Sequence, residues 1–350
     1  MAKLNISVGI SDFSEIRQNQ YYYVDKSGLI RQLTDGNRAK VTLITRPRRF
    51  GKSIAANMLA AYYSRGCDAR ELFSQFEIAK SDTFEKHLNQ YNTIFVNMQE
   101  MLSRSKNVQE LVARFQKLII RELKSEYPEV EYFDEDDLTL CMQDVYVQTK
   151  QTFVIIIDEW DCIFREYKTD REAQEKYLDF LRDLLKDKAY IHLAYMTGIL
   201  PIKKYGTHSA LNMFDEFSMI DPGPLACYVG FTEEEVKGLC EQYQMDMGEV
   251  KSWYDGYSFE KTLSIYSPRS VVNCMRLGKI GNYWNQTETF EALQVYIDMN
   301  FEGLKDDVLS MIAGNSVPVN IGNFANDMST FHTEDDVLTL LIHLGYAAYD

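Results

Sequence analysis

Val41-Thr42-Leu43-Ile44-Thr45-Arg46-Pro47-Arg48-Arg49-Phe50-Gly51-Lys52-Ser53 joins an apolar segment to a basic loop and a Gly-Lys-Ser triplet. Its first five residues are β-branched or apolar and predict a strand. A tight loop follows, and Gly51-Lys52-Ser53 then opens a run of good helix formers from Ile54 to Tyr63. Strand, loop and helix in that order form a phosphate-binding loop. Backbone N–H groups at the helix N-terminus face the anion, and the helix dipole adds to the attraction. In such a loop Lys52 reaches the β- and γ-phosphates and the Ser53 hydroxyl ligates Mg²⁺. One position departs from the usual pattern: Arg46 stands where a glycine eases the turn, so Pro47 has to shape the backbone. Arg48 and Arg49 add two fixed positive charges beside the expected phosphates. The competing reading is a chance Gly-Lys-Ser on a basic surface loop.

The second half of such a site lies about a hundred residues on. Phe153-Val154-Ile155-Ile156-Ile157 is apolar at every position and ends in Asp158-Glu159. A strand without alternation is buried on both faces, as in a parallel sheet covered by helices. Ligands of such sheets bind beyond the carboxyl ends of the strands. Asp158 therefore falls beside Ser53 as a Mg²⁺ ligand, and Glu159 is placed to polarise an attacking water. A third strand, Tyr190 to Met196, ends in Thr197-Gly198. A hydroxyl there could bond the water or the γ-phosphate, and an ordinary strand-end turn explains Thr197 equally well.

Composition narrows the classes. The chain has 350 residues, 45% hydrophobic and 25% charged, which is ordinary globular composition with room for two domains. Its 37 basic and 52 acidic side chains give a net charge of −15, so nucleic acid is repelled on average. Arg46, Arg48 and Arg49 are better matched to nucleotide phosphates than to a polynucleotide. Six scattered cysteines form no Cys-x-x-Cys pair, and five histidines show no metal spacing. No apolar run approaches the roughly 18 residues of a membrane span. Met1 to Ser7 lacks the pattern of a signal peptide, so a cytoplasmic location is the default.

Along the chain, helical spacing predicts helices over Ser27–Leu33, Val108–Glu126, Asp137–Lys150 and Asp170–Lys186, and Thr93–Met98 reads as a strand. The stretch from Gly198 to Pro224, with its prolines and glycines, reads as an irregular loop and as the domain boundary. Thr232 to Glu235 forms a capping box, Ile265-Tyr266 a short hairpin strand, and Ser267-Pro268 a helix start that carries Arg269. Two helices are expected over 287–312, a short strand over Val317–Ile321, a helix over Glu334–Leu344, and the start of a strand from Gly345.

Six blocks in this order resemble the bacterial AAA-ATPase-like family over about residues 5 to 290. They are Tyr23-Val24-Asp25-Lys26-Ser27, Thr45 to Ser53, Asp158-Glu159-Trp160-Asp161, Gly230 to Val236, Trp253-Tyr254-Asp255-Gly256-Tyr257 and Tyr283-Trp284. Ser267-Pro268-Arg269-Ser270 departs from the family's usual Asn-Pro-Trp-Ser. The resemblance implies that an arginine at position 46 is usual. It implies an α/β P-loop NTPase core, a three-layer sandwich with a parallel sheet over 1–222, followed by a mainly helical lid and accessory region over 223–350. Glu159 beside Asp158 and the strand before Thr197 suggest a strand inserted between the phosphate-loop strand and the acidic strand. A PD-(D/E)xK nuclease-like domain commonly follows in the family, and the chain is expected to stop at its start.

The implied ligands are ATP and Mg²⁺. Residues 46–54 (Arg46, Pro47, Arg48, Arg49, Phe50, Gly51, Lys52, Ser53 and Ile54) would bind nucleotide, with Ser53 and Asp158 on the metal. Lys52, Glu159 and Thr197 would carry the chemistry. The implied activity is hydrolysis of ATP to ADP and phosphate, coupled to a nucleic-acid-related, defence or mobile-element process. A nucleotide-dependent switch or an ATP-binding assembly module with little turnover is the alternative. A homo-oligomer is a possible partner state, and no membrane partner is expected.

Overall fold

Val41–Thr45 forms β1, the strand that leads into the phosphate loop, and every one of its residues is buried. In the computed structural model, which describes residues 5, 9–34, 40–201, 213–259, 263–283, 301–323, 331 and 333–349, β1 belongs to a five-stranded sheet. The others are β2 (Asn92–Asn97), β3 (Phe153–Asp158), β4 (Ile191–Gly198) and β5 (Phe214–Phe217), in the order β2-β3-β4-β1-β5. All neighbouring pairs run parallel. β4 thus lies between the phosphate-loop strand and the acidic strand, as Glu159 and the strand before Thr197 suggested.

Alternation across the strands builds the layers. Leu43, Ile155, Ile157 and Met196 face one side, against the helices Val108–Glu126, Leu138–Thr149 and Arg171–Leu185. Ile44, Val154, Ile156 and Tyr195 face the other, against Lys52–Tyr63. Those three outer helices begin at side-chain caps: Asn107 accepts from the amide of Glu110, Asp137 from Leu140, and Asp170 from Ala173. A cap of this kind contributes about 1 kcal/mol, which is why these boundaries are readable in sequence.

Three expectations are corrected. β5 lies inside the stretch read as an irregular loop; residues 202–212 of that stretch fall outside the described residues. Phe214-Asp215-Glu216-Phe217 is short, half-buried and acidic at its centre, so it carries no apolar run, yet it pairs with β1 at the sheet edge. The strand expected over Val317–Ile321 is irregular and leads into a single 3₁₀ turn; Pro318 has no amide to donate to a ladder. Among the described residues after Gly345 no strand forms either. Tyr349 makes only a bridge to the second sheet, accepting from the Ser258 amide and donating to Gly256 O. Of the helices expected over 287–312, Leu304–Ile312 is present, and 284–300 lie outside the described residues.

The region after residue 223 is helical and also holds an antiparallel sheet, β6 (Phe231–Thr232), β7 (Asp255–Phe259) and β8 (Leu263–Tyr266), ordered β6-β8-β7. Helices Glu233–Tyr243, Met247–Tyr254 and Pro268–Leu277 enclose a core of their own around Val236, Leu239, Val250 and Val271. The capping box starts the first of them, with the Thr232 amide donating to Glu235 at 2.8 Å. Helix Glu334–Leu344 instead packs on the main sheet through Val337, Leu340 and Ile342. Among the described residues no helix is long and apolar enough to cross a membrane.

Candidate nucleotide-binding site

The carboxyl ends of β1, β2 and β3 converge on one cleft. β1 hands the chain to the loop, where Arg49 (φ +68°) and Gly51 (φ +91°) take left-handed conformations. Gly51 is the N-cap of the Lys52–Tyr63 helix, and no side chain caps its first turn. Those amides are therefore available to an anion. Lys52 is buried and folds back over its own loop, donating to Arg46 O at 3.0 Å and Pro47 O at 2.9 Å. Burial pushes its pKa down; Glu159, Asp158 and Asp161 oppose that shift.

Asp158 is 1% exposed and is held from four directions. Ser53 Oγ donates to its Oδ2 at 2.6 Å, and Asn97 Nδ2 donates to the same oxygen at 3.3 Å. The Glu159 amide donates to Oδ1 at 3.1 Å, and Thr197 Oγ1 makes a short bond to that oxygen. Ser53 and Asp158 therefore meet as expected. Thr197, fully buried, is directed at Asp158 and does not line the cleft. Asn97 was not singled out by its sequence. It ends β2 in register with Asp158 and lines the cleft, and that parallel register is the signal that locates it.

Glu159 stands at φ +55°, a left-handed backbone unusual for a non-glycine residue. Its Oε2 accepts from Arg165 Nη2 at 2.6 Å. Burial raises its pKa, and Lys52 and Arg165 pull it back. The next two residues brace the site. Trp160 Nε1 donates to Leu200 O at 3.2 Å, and Asp161 Oδ2 accepts from the amides of Ile199 (3.0 Å) and Leu200 (2.8 Å). Gly198 permits this packing: a Cβ there would lie 2.4 Å from Trp160 Cδ1.

The loop arginines divide. Arg48 and Arg49 line the cleft. The side chain of Arg46 points away from it, which corrects its reading as a phosphate ligand. Arg46 is 1% exposed, with Nη1 donating to Thr45 O (2.8 Å) and Phe217 O (3.1 Å). Nη2 and Nε find no hydrogen-bond partner among the described residues, and burial pushes the guanidinium pKa down to about 10. Pro47 contributes its carbonyl, while Phe50 is buried edge-on to Tyr257.

The cleft measures about 940 Å³ and gathers Arg48, Arg49, Lys52 and Arg165 from the first region with Arg269 from the second. Beside it, sharing Gly51, Ile54, Pro268 and Val272, is an apolar recess of about 120 Å³ faced by Tyr22, Tyr23, Phe231 and Leu239. At the rim of the recess Lys26 Nζ bonds Glu235 at 2.6 Å and Cys227 O at 2.7 Å. Asp25 bonds the amides of Ser27 and Glu77. Both residues therefore take structural roles here, joining the segment before β1 to its surroundings.

Two hard oxygens, Ser53 Oγ and Asp158 Oδ2, suit Mg²⁺, which keeps waters and phosphate oxygens in its shell. Among the described residues no group of three or more His, Cys, Asp or Glu side chains could enclose a metal. A Mg²⁺ there would be held by Ser53 and Asp158, with phosphate and water oxygens available to its shell.

The strand order and the loop define a P-loop NTPase fold with β4 inserted between the two motif strands. The chain belongs to the AAA-ATPase-like family of predicted AAA-ATPases, which matches residues 7–207. A curated relative, an uncharacterized protein from the vnfD 5′ region of Azotobacter chroococcum mcd 1, is 25% identical over 305 residues. That alignment covers 83% of this chain and 55% of the relative, so the chain spans about half of the relative's length. Among solved structures, the Aeropyrum pernix ORC1 protein in complex with DNA is 11% identical with TM-score 0.30, covering 77% of this chain and 55% of that one. The Aeropyrum pernix ORC2 protein in ADPNP–ADP complexes is 13% identical with TM-score 0.31, covering 85% and 76%. Caenorhabditis elegans PCH-2 is 11% identical with TM-score 0.26, covering 97% and 70%.

Proposed function

We propose that this chain binds ATP with Mg²⁺ in the cleft and hydrolyses it to ADP and phosphate. The observation that carries the proposal is the convergence of Lys52, Ser53, Asp158 and Glu159 at the ends of β1 and β3. The uncapped amides of the Lys52–Tyr63 helix and the Lys52 ammonium receive the β- and γ-phosphates, Lys52 exchanging its two loop carbonyls for phosphate oxygens. Ser53 and Asp158 hold the metal, which when bound neutralises charge on the transferring phosphoryl group. Glu159 orients a water for in-line attack on the γ-phosphorus; the P–O bond to ADP breaks and phosphate leaves. Thr197 acts through Asp158, fixing the orientation of its carboxylate. Arg48, Arg49 and Arg269 supply further charge to the phosphates.

The apolar recess takes the base, sandwiched between the Tyr22-Tyr23 segment and Phe231, Leu239 and Val272. Nucleotide would then touch both the core (1–222) and the lid and accessory region (223–350). The process served is nucleic-acid-related, or one of defence or mobile elements, in the cytoplasm. A net charge of −15 places any nucleic-acid contact on a local surface or on a partner. A second reading, a nucleotide-dependent assembly switch with little turnover, is favoured by the engagement of Glu159 with Arg165.

Calorimetric titration of the purified chain with ATP and with GTP in Mg²⁺ tests the binding step. ATP is expected to bind, with affinity falling about tenfold or more in Lys52→Ala or when EDTA removes Mg²⁺. Absence of any nucleotide binding by the unaltered chain contradicts the proposal.

A further inference from the structure

We propose that Arg165 is the positioning residue for Glu159: it fixes one carboxylate oxygen so that the other faces the attacking water. The inference rests on the ATPase reading above. Arg165 lies in the short helix Cys162–Glu166, which follows directly from the acidic strand. Its Nη2 donates to Glu159 Oε2 at 2.6 Å, and Gln99 Oε1 lies 3.4 Å from the same nitrogen. Its Nε stands 3.5 Å from Asp161 Oδ2, an ion-pair contact without hydrogen-bond geometry. Asp161 is in turn fixed by the amides of Ile199 and Leu200. A continuous chain of fixed groups therefore runs from the end of β4, through Asp161 and the planar guanidinium, to the carboxylate of Glu159.

Two features make this a tether on a reacting group and not a surface ion pair. The side chains of Arg165 and Glu159 are only 13% and 22% exposed, so water screens the pair weakly. Both residues also line the nucleotide cleft, and Glu159 Oε1 makes no hydrogen bond to any described residue. The oxygen left over is the one that can accept a water. The left-handed backbone at Glu159 is strained for a non-glycine residue and persists only where the surroundings hold it. A base oriented by a third group is the general arrangement of activated nucleophiles. Lysine would not reproduce the fork that spans Glu159, Gln99 and Asp161 at once.

The test is a mutant cycle on the full chain: unaltered, Arg165→Gln, Arg165→Lys, Glu159→Gln and the double Glu159→Gln/Arg165→Gln. Steady-state phosphate release is measured beside the affinities for ADP and for a non-hydrolysable ATP analogue, with circular dichroism and thermal melting as folding controls. Arg165→Gln is expected to lower kcat about tenfold or more, with KM and both affinities within about twofold. Arg165→Lys recovers part of kcat. In the Glu159→Gln background the Arg165 substitution adds no further loss, because it acts through a group already removed. Three outcomes overturn the inference: kcat in Arg165→Gln equal to or above that of the unaltered chain; additive losses in the double variant; or lost affinity for the ATP analogue with ADP affinity kept, which would make Arg165 a γ-phosphate ligand. An unaltered chain that binds ATP but releases no phosphate overturns the ATPase reading itself, and this inference with it.

Discussion

Asp158 accepts hydrogen bonds from groups on β2, β4, the phosphate-loop helix and its own strand end, so its orientation is over-determined before any ligand arrives. Donors that orient a metal-binding carboxylate typically shift metal affinity by 10- to 100-fold when removed. Asn97→Ala and Thr197→Val are therefore expected to raise the Mg²⁺ concentration that half-saturates ATP binding, Thr197→Val the more because its bond is fully buried. A Mg²⁺ titration of nucleotide binding checks this, and unchanged Mg²⁺ dependence in both variants counts against it. Arg46 makes the opposite case. Its guanidinium is buried with two nitrogens that find no partner among the described residues, and a buried charge of that kind carries a desolvation cost that an apolar side chain of similar volume does not. Arg46→Met is predicted to keep nucleotide affinity within about twofold and to melt no earlier than the unaltered chain; a large loss of affinity would return Arg46 to the phosphates.

At the level of elements, β3 and the helices 108–126, 138–149 and 171–185 are legible in sequence, because a short run rich in β-branched residues favours a strand and capped 3.6-residue periodicity favours a helix. β5 is not. Its pairing with β1 is supplied by the sheet, and nothing local to Phe214–Phe217 announces it. In the site, Lys52, Ser53, Asp158 and Glu159 are legible because contiguous motifs carry them. Asn97, the tether from Arg165 and the inward turn of Arg46 depend on register and packing between distant segments, which a single sequence does not display. Gly198 shows the same dependence. Read locally it ends a strand in a turn; in the fold it is a paired strand residue opposite Thr45, against which Trp160 and Asp161 close. Gly198→Ala is predicted to destabilise by roughly 1–3 kcal/mol through overpacking, lowering the melting temperature and displacing Thr197 from Asp158. A melting temperature equal to that of the unaltered chain would show that the bracket yields freely.

The whole molecule is tied together beneath the loop as well as across the cleft. Tyr257 of β7 donates to Ile342 O at 3.1 Å and packs edge-on against Phe50. Gly345 approaches so closely that a Cβ would lie 2.9 Å from Pro47 Cβ. His343, in the same helix end, is fully buried; burial, with the Arg46 charge nearby, pushes its pKa down to about 4 from 6.5. The unfolded chain therefore binds a proton in this window that the folded chain refuses. The contribution is fully present above pH 6.5 and is lost as pH falls towards about 4. Denaturant melts across that window should show the unaltered chain losing up to about 1.4 kcal/mol per pH unit more than His343→Gln. Parallel pH profiles for the two would contradict the buried neutral imidazole.

If Glu159 orients the water that cleaves ATP, phosphate release measured beside ATP binding will show it. The unaltered chain with Mg·ATP is predicted to release phosphate, and Glu159→Gln to bind ATP as well while releasing phosphate on the order of a hundredfold more slowly. Turnover by Glu159→Gln at the rate of the unaltered chain would show that Glu159 orients no attacking water.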